Sequence, residues 1–347
     1  MGSNENKRTG IVVRALFLAG FALSHLWFPG RGLVTRTRPA IVGQPDPDSS
    51  RVRSLSRLAD HYRAQGRYRE ALPLLTEALG IAEREYGPRH LEVATILNSL
   101  GVICKYAGRF DEGEQVYRRA LAITEDLLRA DDPAVATIYH NLGGLEHARG
   151  RYRRGEPFAR RAVQLRRRAL GSGHPDVAAE QAALAAILDG EGRRKEAERL
   201  YVGALAVFER VYGPDSYEVA VNLNNLAALY QAQGKMRESE WLYQRALEIK
   251  RKLLGADHPE VAMTMNNLAV LYKSERRWEQ AESLYRNAIP ILERALGPRH
   301  PTVLASQENY KHLLRRWHRC WRVRFSTSTD STNLWDTSSR WRSVGAP

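Results

Sequence analysis

Asparagine side chains recur in adjacent pairs within segments that otherwise have the pattern of buried helices. The stretch GADHPEVAMTMNNLAVLY contains Asn266 and Asn267, and GPDSYEVAVNLNNLAALY contains Asn224 and Asn225, 42 residues earlier. Asparagine is unfavourable inside a helix because its amide competes for backbone hydrogen bonds. The same amide offers both donors and an acceptor, which suits it to hold the backbone of another chain. Its repetition at a constant spacing therefore indicates a function.

These amides belong to an internal repeat of 42 residues. A valine, usually followed by alanine, recurs at this period and is taken here as position 0 of each repeat: Val93, Val135, Val177, Val219, Val261 and Val303. In this register, asparagine occupies position 5 or 6 at Asn98, Asn141, Asn224, Asn225, Asn266, Asn267 and Asn309. A period of 20 to 50 residues is typical of solenoid proteins, in which each unit stacks on its neighbours.

Each repeat predicts two helices joined by a tight turn. Proline two residues before position 0 suits the start of a helix, and Asp132 or Ser216 just before that site can cap it. Apolar residues then follow at helical spacing, until a glycine at position 15 breaks the helix in most repeats. Small residues recur where the two helices must approach, as at Gly101 and Gly143. Larger side chains there should cost about 1 to 3 kcal/mol.

Several recurring residues resemble the tetratricopeptide repeat: leucine at position 7, glycine or alanine at 8, tyrosine at 11 in two repeats and at 24 in four, and alanine at 27. The 42-residue period and the linker G-x-x-H-P-x-V-A resemble the kinesin light chain type in particular. This resemblance implies an all-α, right-handed superhelix of six helical hairpins and a C-terminal capping helix. The expected repeats are 51–92, 93–134, 135–176, 177–218, 219–260 and 261–302, with the cap at 303–318. Residues 1–50 are expected to be disordered or a targeting segment, and 319–347 a disordered tail.

The first helix of each hairpin is expected to form the inner wall of the superhelix, with positions 2, 5, 6, 9, 12 and 13 facing the groove or the adjacent hairpin. The resemblance implies that position 6 binds the backbone of an extended peptide, which favours Asn267 over Asn266. In the other interpretation, the amides bridge neighbouring hairpins and hold the superhelix angle. Nearby cations favour an acidic peptide. The predicted groove residues are Asn98, Lys105, His140, Asn141, His147, Asn224, Asn225, Asn266, Asn267 and Lys273.

The fourth repeat departs from this pattern, because Ala182 and Ala183 replace the amides and Leu188 replaces the tyrosine. The groove is therefore expected to be interrupted there. The third repeat has nine arginines between Arg149 and Arg168. An RNA-binding or acidic-surface function through this helix and the C-terminal tail is the alternative function, but no interleaved aromatic residues favour base stacking.

The net charge of +14 is concentrated at the two ends of the chain. Residues 1–50 carry six basic and three acidic side chains, and residues 305–347 carry eight basic and three acidic ones. The repeats themselves are only mildly basic, so the charge alone does not indicate nucleic acid as a partner.

No catalytic or metal-binding motif is evident, and neither an enzyme nor a cofactor is expected. His174, His258 and His300 lie at one linker position and are parts of the repeat. Residues 1–50 contain no heptads, so binding to a kinesin heavy chain is not expected. The apolar run Ala15 to Phe28 is too short to span a bilayer, leaving a signal or transit peptide or a membrane contact as alternatives to a cytoplasmic protein.

Overall fold

The described residues form an all-α solenoid. A computed structural model describes residues 47–129 and 131–326, with side chains described up to residue 317, and this part of the chain contains thirteen helices and no strand. The first helices of the hairpins and the final helix are α1 (Pro47–Ala64), α3 (Leu91–Tyr106), α5 (Pro133–Ala148), α7 (Pro175–Gly190), α9 (Tyr217–Ala232), α11 (Pro259–Ser274) and α13 (Pro301–Ser326). The second helices are α2 (Tyr68–Tyr86), α4 (Phe110–Leu127), α6 (Tyr152–Leu170), α8 (Arg194–Tyr212), α10 (Met236–Leu254) and α12 (Trp278–Leu296).

The helix starts follow the predicted capping chemistry. Asp132 Oδ1 accepts a hydrogen bond from the Ala134 backbone N–H at 2.8 Å, and Ser216 Oγ accepts one from Val219 at 3.5 Å. Where the linker has histidine, its Nδ1 atom takes the same role, as His174 does for Asp176 at 3.1 Å. The linker histidines are therefore helix caps, which accounts for their regular spacing.

Within a hairpin, an aromatic ring of the second helix packs on a small residue of the first. The rings of Tyr117, Tyr201, Tyr243 and Tyr285 are almost completely buried. At Gly101, an added Cβ atom would lie 2.5 Å from the Tyr117 ring. The predicted close approach of the two helices is thus present, and here it leaves no space for a methyl group.

The first helices line the inner side of the solenoid. Each first helix from α3 onward contacts the next first helix, whereas contacts between consecutive second helices are weaker among the described residues. Helices that converge on one side of a stack lie on its concave face. The first helices, which carry the positions predicted to face the groove, therefore lie on the concave side.

The two ends differ from the expected boundaries. The first helix begins at Pro47, within the segment expected to be disordered, and α13 continues to Ser326, eight residues past the predicted end of the cap. Most other first helices end just before a glycine at position 15, but α13 has His318 there and neither glycine nor proline up to its end. The predicted targeting segment lies mostly outside the described residues. None of the described helices meets the length and hydropathy needed to cross a bilayer.

Candidate functional site on the inner wall

Two pairs of asparagines connect consecutive hairpins on the inner wall. Asn141 Nδ2 donates a hydrogen bond to Asn98 Oδ1 at 2.8 Å. Asn267 Nδ2 donates in the same way to Asn224 Oδ1 at 3.2 Å. Both pairs, called amide rungs below, join position 6 of one hairpin to position 5 of the hairpin before it. The bridging interpretation of the sequence therefore describes these contacts, and Asn267 itself takes part in one.

A third pair at the same positions is arranged differently. Asn266 and Asn309 are both buried, and Asn309 Oδ1 accepts a hydrogen bond from Lys273 Nζ at 2.8 Å. Within the described residues, Asn266 Oδ1 and Asn309 Nδ2 have no hydrogen-bond partner. Asn266 is only 1% exposed, so it lies behind the surface of the inner wall.

The junction between the third and fourth hairpins has an ionic network where the amides are missing. His140 Nδ1 lies 2.7 Å from Glu180 Oε2, and Arg166 Nε donates to Glu180 Oε1 at 3.3 Å. Burial opposes the charge of Glu180, but His140 and Arg166 outweigh it and lower the pKa of this carboxyl group. The third and fourth hairpins are therefore connected on the inner wall by charged side chains, and His140 contacts the neighbouring hairpin.

A narrow cleft of about 10 Å³ lies on the inner wall between the fifth and sixth hairpins. Its lining residues are Val221, Asn224, Asn225, Lys250, Glu260, Met263, Thr264 and Asn267. Lys250 and Glu260 form a buried ion pair at 3.1 Å, which neutralises the charge at the base of the cleft. Asn225 and Asn267 are half-buried, and the Asn225 amide makes no hydrogen bond to the described part of the chain. Asn225 is therefore the predicted amide that is most available to a ligand.

Position 12 forms a row near the end of the first helices. Lys105 is 8% exposed, and its ammonium group lies 4.7 Å from the centre of the Tyr106 ring. Burial, together with the charge of Arg63, lowers the pKa of Lys105 to about 8. Burial and the charge of Arg316 lower the pKa of Lys273 to about 8 as well. Neither lysine forms an ion pair with a carboxylate of the described residues.

His147 occupies position 12 in the third hairpin and is 3% exposed. Its burial, helped by the charge of Lys105, lowers the pKa of the imidazole to about 4. His147 is therefore neutral near pH 7 and is a core residue more than a groove residue.

Family models match most of the solenoid. A model described as tetratricopeptide repeat matches residues 50–126, 181–240, 218–293 and 263–323, and a second model with the same description matches residues 135–176. The chain belongs to the tetratricopeptide repeat family. The helical hairpins and inner wall described above are the elements of that repeat.

Solved structures of other proteins have a similar fold. BtubC (BKLC) from P. vanneervenii is 24% identical, with a TM-score of 0.50 and coverage of 71% of this chain and 91% of that one. A putative kinesin light chain with nearly identical repeats from Podosopora anserina is 24% identical, with a TM-score of 0.51 and coverage of 59% and 96%. NprR in complex with its cognate peptide NprX is 14% identical, with a TM-score of 0.58 and coverage of 81% and 78%. The kinesin light chain type of repeat is consistent with these similarities.

Several polar residues of the tetratricopeptide repeat junctions were not predicted from the sequence. Arg166 and Lys250 both lie at position 31 of their repeats, within the second helix, and both are buried. Arg166 pairs with Glu180, and Lys250 pairs with Glu260, in each case on the first helix of the next hairpin. The available signal was a basic residue at a position that is apolar in three of the other hairpins, at Ala82, Phe208 and Leu292.

Four of the nine arginines of the third repeat are paired with carboxylates of the described residues. Arg149 contacts Glu114 and Asp111, both at 2.6 Å, and Arg160 contacts Glu156 at 2.7 Å. Arg154 and Arg166 also have acidic partners. This surface is therefore less positive than the arginine count suggests.

Proposed function

We propose that this protein is an interaction scaffold that binds extended peptide segments of partner proteins on its inner wall. The cleft between the fifth and sixth hairpins is the main contact, and the free amide of Asn225 is the observation that carries the proposal. An amide with an unused donor and acceptor can hold both the C=O and the N–H of one peptide unit. Such a contact is indifferent to the side chains of the peptide, so it suits an adaptor with several partners.

The apolar lining of the cleft supports this function. Val221 and Met263 lie beside the amides of Asn225 and Asn267. Peptide sites combine backbone hydrogen bonds, which provide affinity, with pockets that select side chains. Methionine adapts its shape to different apolar groups, which again suits more than one partner.

The lysines at position 12 support a preference for acidic peptides. Lys105 and Lys273 have lowered pKa values because burial disfavours their charged forms. A carboxylate of the ligand would stabilise the charged form and raise both pKa values. Acidic peptides should therefore bind best below pH 8 and lose this advantage as the pH rises and the lysines lose their protons.

The complex of NprR with its peptide offers a related precedent in the same fold. That protein has a similar solenoid and was solved with its cognate peptide NprX. Its identity to this chain is only 14%, so it supports the kind of function and not the choice of ligand.

The proposal is tested by a screen of acidic and neutral peptide arrays against the full chain. First helices of 16 residues span about 24 Å, which an extended peptide of about seven residues covers, so arrays of 12-residue peptides are long enough. Asn225→Ala should weaken the selected peptides by about 5- to 10-fold, the effect of about one hydrogen bond. Asn287→Ala, on the exposed face of α12, is the matched control and should leave binding unchanged. Absence of any binding peptide, or equal binding by Asn225→Ala, would refute the proposal.

The charge preference is tested separately. Lys105→Met and Lys273→Met should remove the advantage of acidic over neutral peptides. Lys195→Met changes an exposed lysine of α8 and serves as the control. If the variant with both Lys105→Met and Lys273→Met still prefers acidic peptides as strongly as the parent protein, the proposed role of the two lysines is refuted. The proposed backbone contact at Asn225 is not affected by that result.

A further inference from the structure

The first and sixth hairpins of the solenoid meet. Gly66 lies in the turn between α1 and α2, and an added Cβ atom there would be 3.9 Å from the carbonyl oxygen and 4.0 Å from Cδ2 of Leu296. Leu296 is the last residue of α12. The two residues are 230 positions apart, so the contact joins opposite ends of the stack.

Comparison with the equivalent turns shows that this contact is specific to the ends. Gly66 is half-buried, whereas the glycines at the same position of the second to fifth hairpins are exposed and have open space around them: Gly108, Gly150, Gly192 and Gly234. Leu296 is half-buried, as are Tyr86, Leu128 and Leu254 at the equivalent position, so the change of environment is seen at the glycine turn. Among these turns, the environment of the glycine thus changes where the ends meet.

The direction of the contact matches one full turn of a superhelix. Turns within a hairpin lie at one edge of the solenoid, and linkers between hairpins lie at the other edge. Gly66 belongs to the first edge and Leu296 to the second, so the two ends of the solenoid overlap after one turn of the superhelix. Because the first helices face inward, six hairpins then surround the central space on all sides.

We infer that this contact is a gate that encloses a peptide bound on the inner wall. The inference rests on the proposed function and adds to it the kind of segment that can enter. A peptide with a free end can thread along the axis of the closed solenoid. A segment flanked by folded domains cannot thread, and it enters only when the first and sixth hairpins separate.

The contact is well suited to open. It joins a backbone turn to one leucine at the end of a helix, whereas neighbouring hairpins share extensive interfaces. In a solenoid each repeat contacts mainly its neighbours, so small rotations at several junctions add up to a large displacement of the ends. The gate can therefore open without unfolding any hairpin.

Cysteine crosslinking tests the closure without any ligand. In a background with Cys104→Ala and Cys320→Ala, the pair Gln65→Cys and Leu296→Cys should form an intramolecular crosslink with a short bismaleimide. Gln233 occupies the same turn position as Gln65 in the fifth hairpin, at the edge opposite Leu296. The matched pair Gln233→Cys and Leu296→Cys should therefore remain uncrosslinked. Equal crosslinking of the two pairs, or none with Gln65→Cys, would overturn the closure whatever the protein binds.

Binding kinetics test the gate itself. A peptide selected from the array is presented either with free ends or as a linker between two folded domains. Crosslinking the ends should leave association of the free peptide within about 3-fold, and slow association of the flanked segment by at least 10-fold. The single-cysteine variants, treated with the same reagent, should bind both forms as the parent does. Equal association of both forms to the crosslinked protein refutes the gate alone, whereas failure of every peptide to bind refutes the proposed function and the gate together.

Discussion

The side-chain amide of Asn141 donates to the amide oxygen of Asn98 across the boundary between the second and third hairpins, at 2.8 Å. Both side chains are at least nine-tenths buried, so this bond replaces contacts with water that each amide would have in the unfolded chain. The rung fixes one hairpin against the next at a point on the inner wall. Its effect on stability should be larger than that of an exposed hydrogen bond.

Asn141→Ala should lower the free energy of unfolding by about 1 to 3 kcal/mol, because it leaves the Asn98 oxygen buried without a partner. The double change of Asn98→Ala and Asn141→Ala should cost less than the sum of the two single changes, by about 1 kcal/mol. The fourth hairpin already has alanine at both positions, so the fold tolerates the pair. Thermal denaturation of the parent, the two single variants and the double variant provides a double-mutant cycle. If the two single effects on the free energy of unfolding add up to the effect of the double change, the hydrogen bond between Asn98 and Asn141 contributes no coupling energy.

The contact between Gly101 and Tyr117 predicts opposite effects of one substitution at two glycines. Gly101→Ala should destabilise the protein by about 1 to 3 kcal/mol, because the new methyl group would overlap the Tyr117 ring. Gly203→Ala, in the exposed interior of α8, meets nothing within 4 Å and should stabilise by about 0.5 to 1 kcal/mol. Urea denaturation of both variants tests the pair. A stabilising Gly101→Ala would mean that the two helices separate easily.

The turn of the sixth hairpin contains a strained residue. Arg276 has φ of 61° and stands where the other five hairpins have glycine. A left-handed conformation costs a residue with a side chain about 1 to 2 kcal/mol, whereas glycine adopts it without this cost but loses more chain entropy on folding. Arg276→Gly should therefore stabilise by up to about 1 kcal/mol, and Gly234→Ala should destabilise by about 1 kcal/mol. A calorimetric melting temperature that falls for Arg276→Gly would contradict this account.

The fold was largely predictable from the sequence because its determinants are local. The 42-residue period, the capping residues and the small residues opposite tyrosine each act within one hairpin. Asp132 and Ser216 cap helices as predicted. The two helices of the second hairpin approach closely at Gly101, as the small residue at this position predicted. The end of α13 differs from the prediction because His318 replaces the glycine at position 15, so no glycine or proline ends the helix before Ser326.

The arrangement of the site was less predictable because it depends on the angles between hairpins. The sequence places amides at positions 5 and 6, but only the stacking geometry decides that Asn267 bonds to Asn224 while Asn225 has no partner in the described chain. The pairing of Arg166 with Glu180 likewise joins two elements across a junction. The end contact at Gly66 depends on rotations summed over all six hairpins, and such a sum has no local sequence signal.

His147 predicts a specific loss of stability in acid. Its pKa is about 4 in the folded protein because burial, and then the charge of Lys105, disfavours the imidazolium form. An unfolded histidine titrates near pH 6.5, so between about pH 6.5 and 4 the unfolded state binds a proton that the folded state does not. The stability associated with His147 is complete above pH 6.5 and is lost as the pH falls towards 4, by up to about 3 kcal/mol.

His147→Gln should remove this component, because glutamine is neutral throughout the range and already occupies the equivalent position 12 at Gln231. Melting temperatures of the two proteins measured from pH 7.5 to 4.5 should therefore diverge, with the parent falling more steeply. The exposed His61 provides a control, since His61→Gln should leave the slope of the parent protein unchanged. Parallel curves for the parent and His147→Gln would mean that His147 is protonated in the folded protein at the same pH as in the unfolded chain.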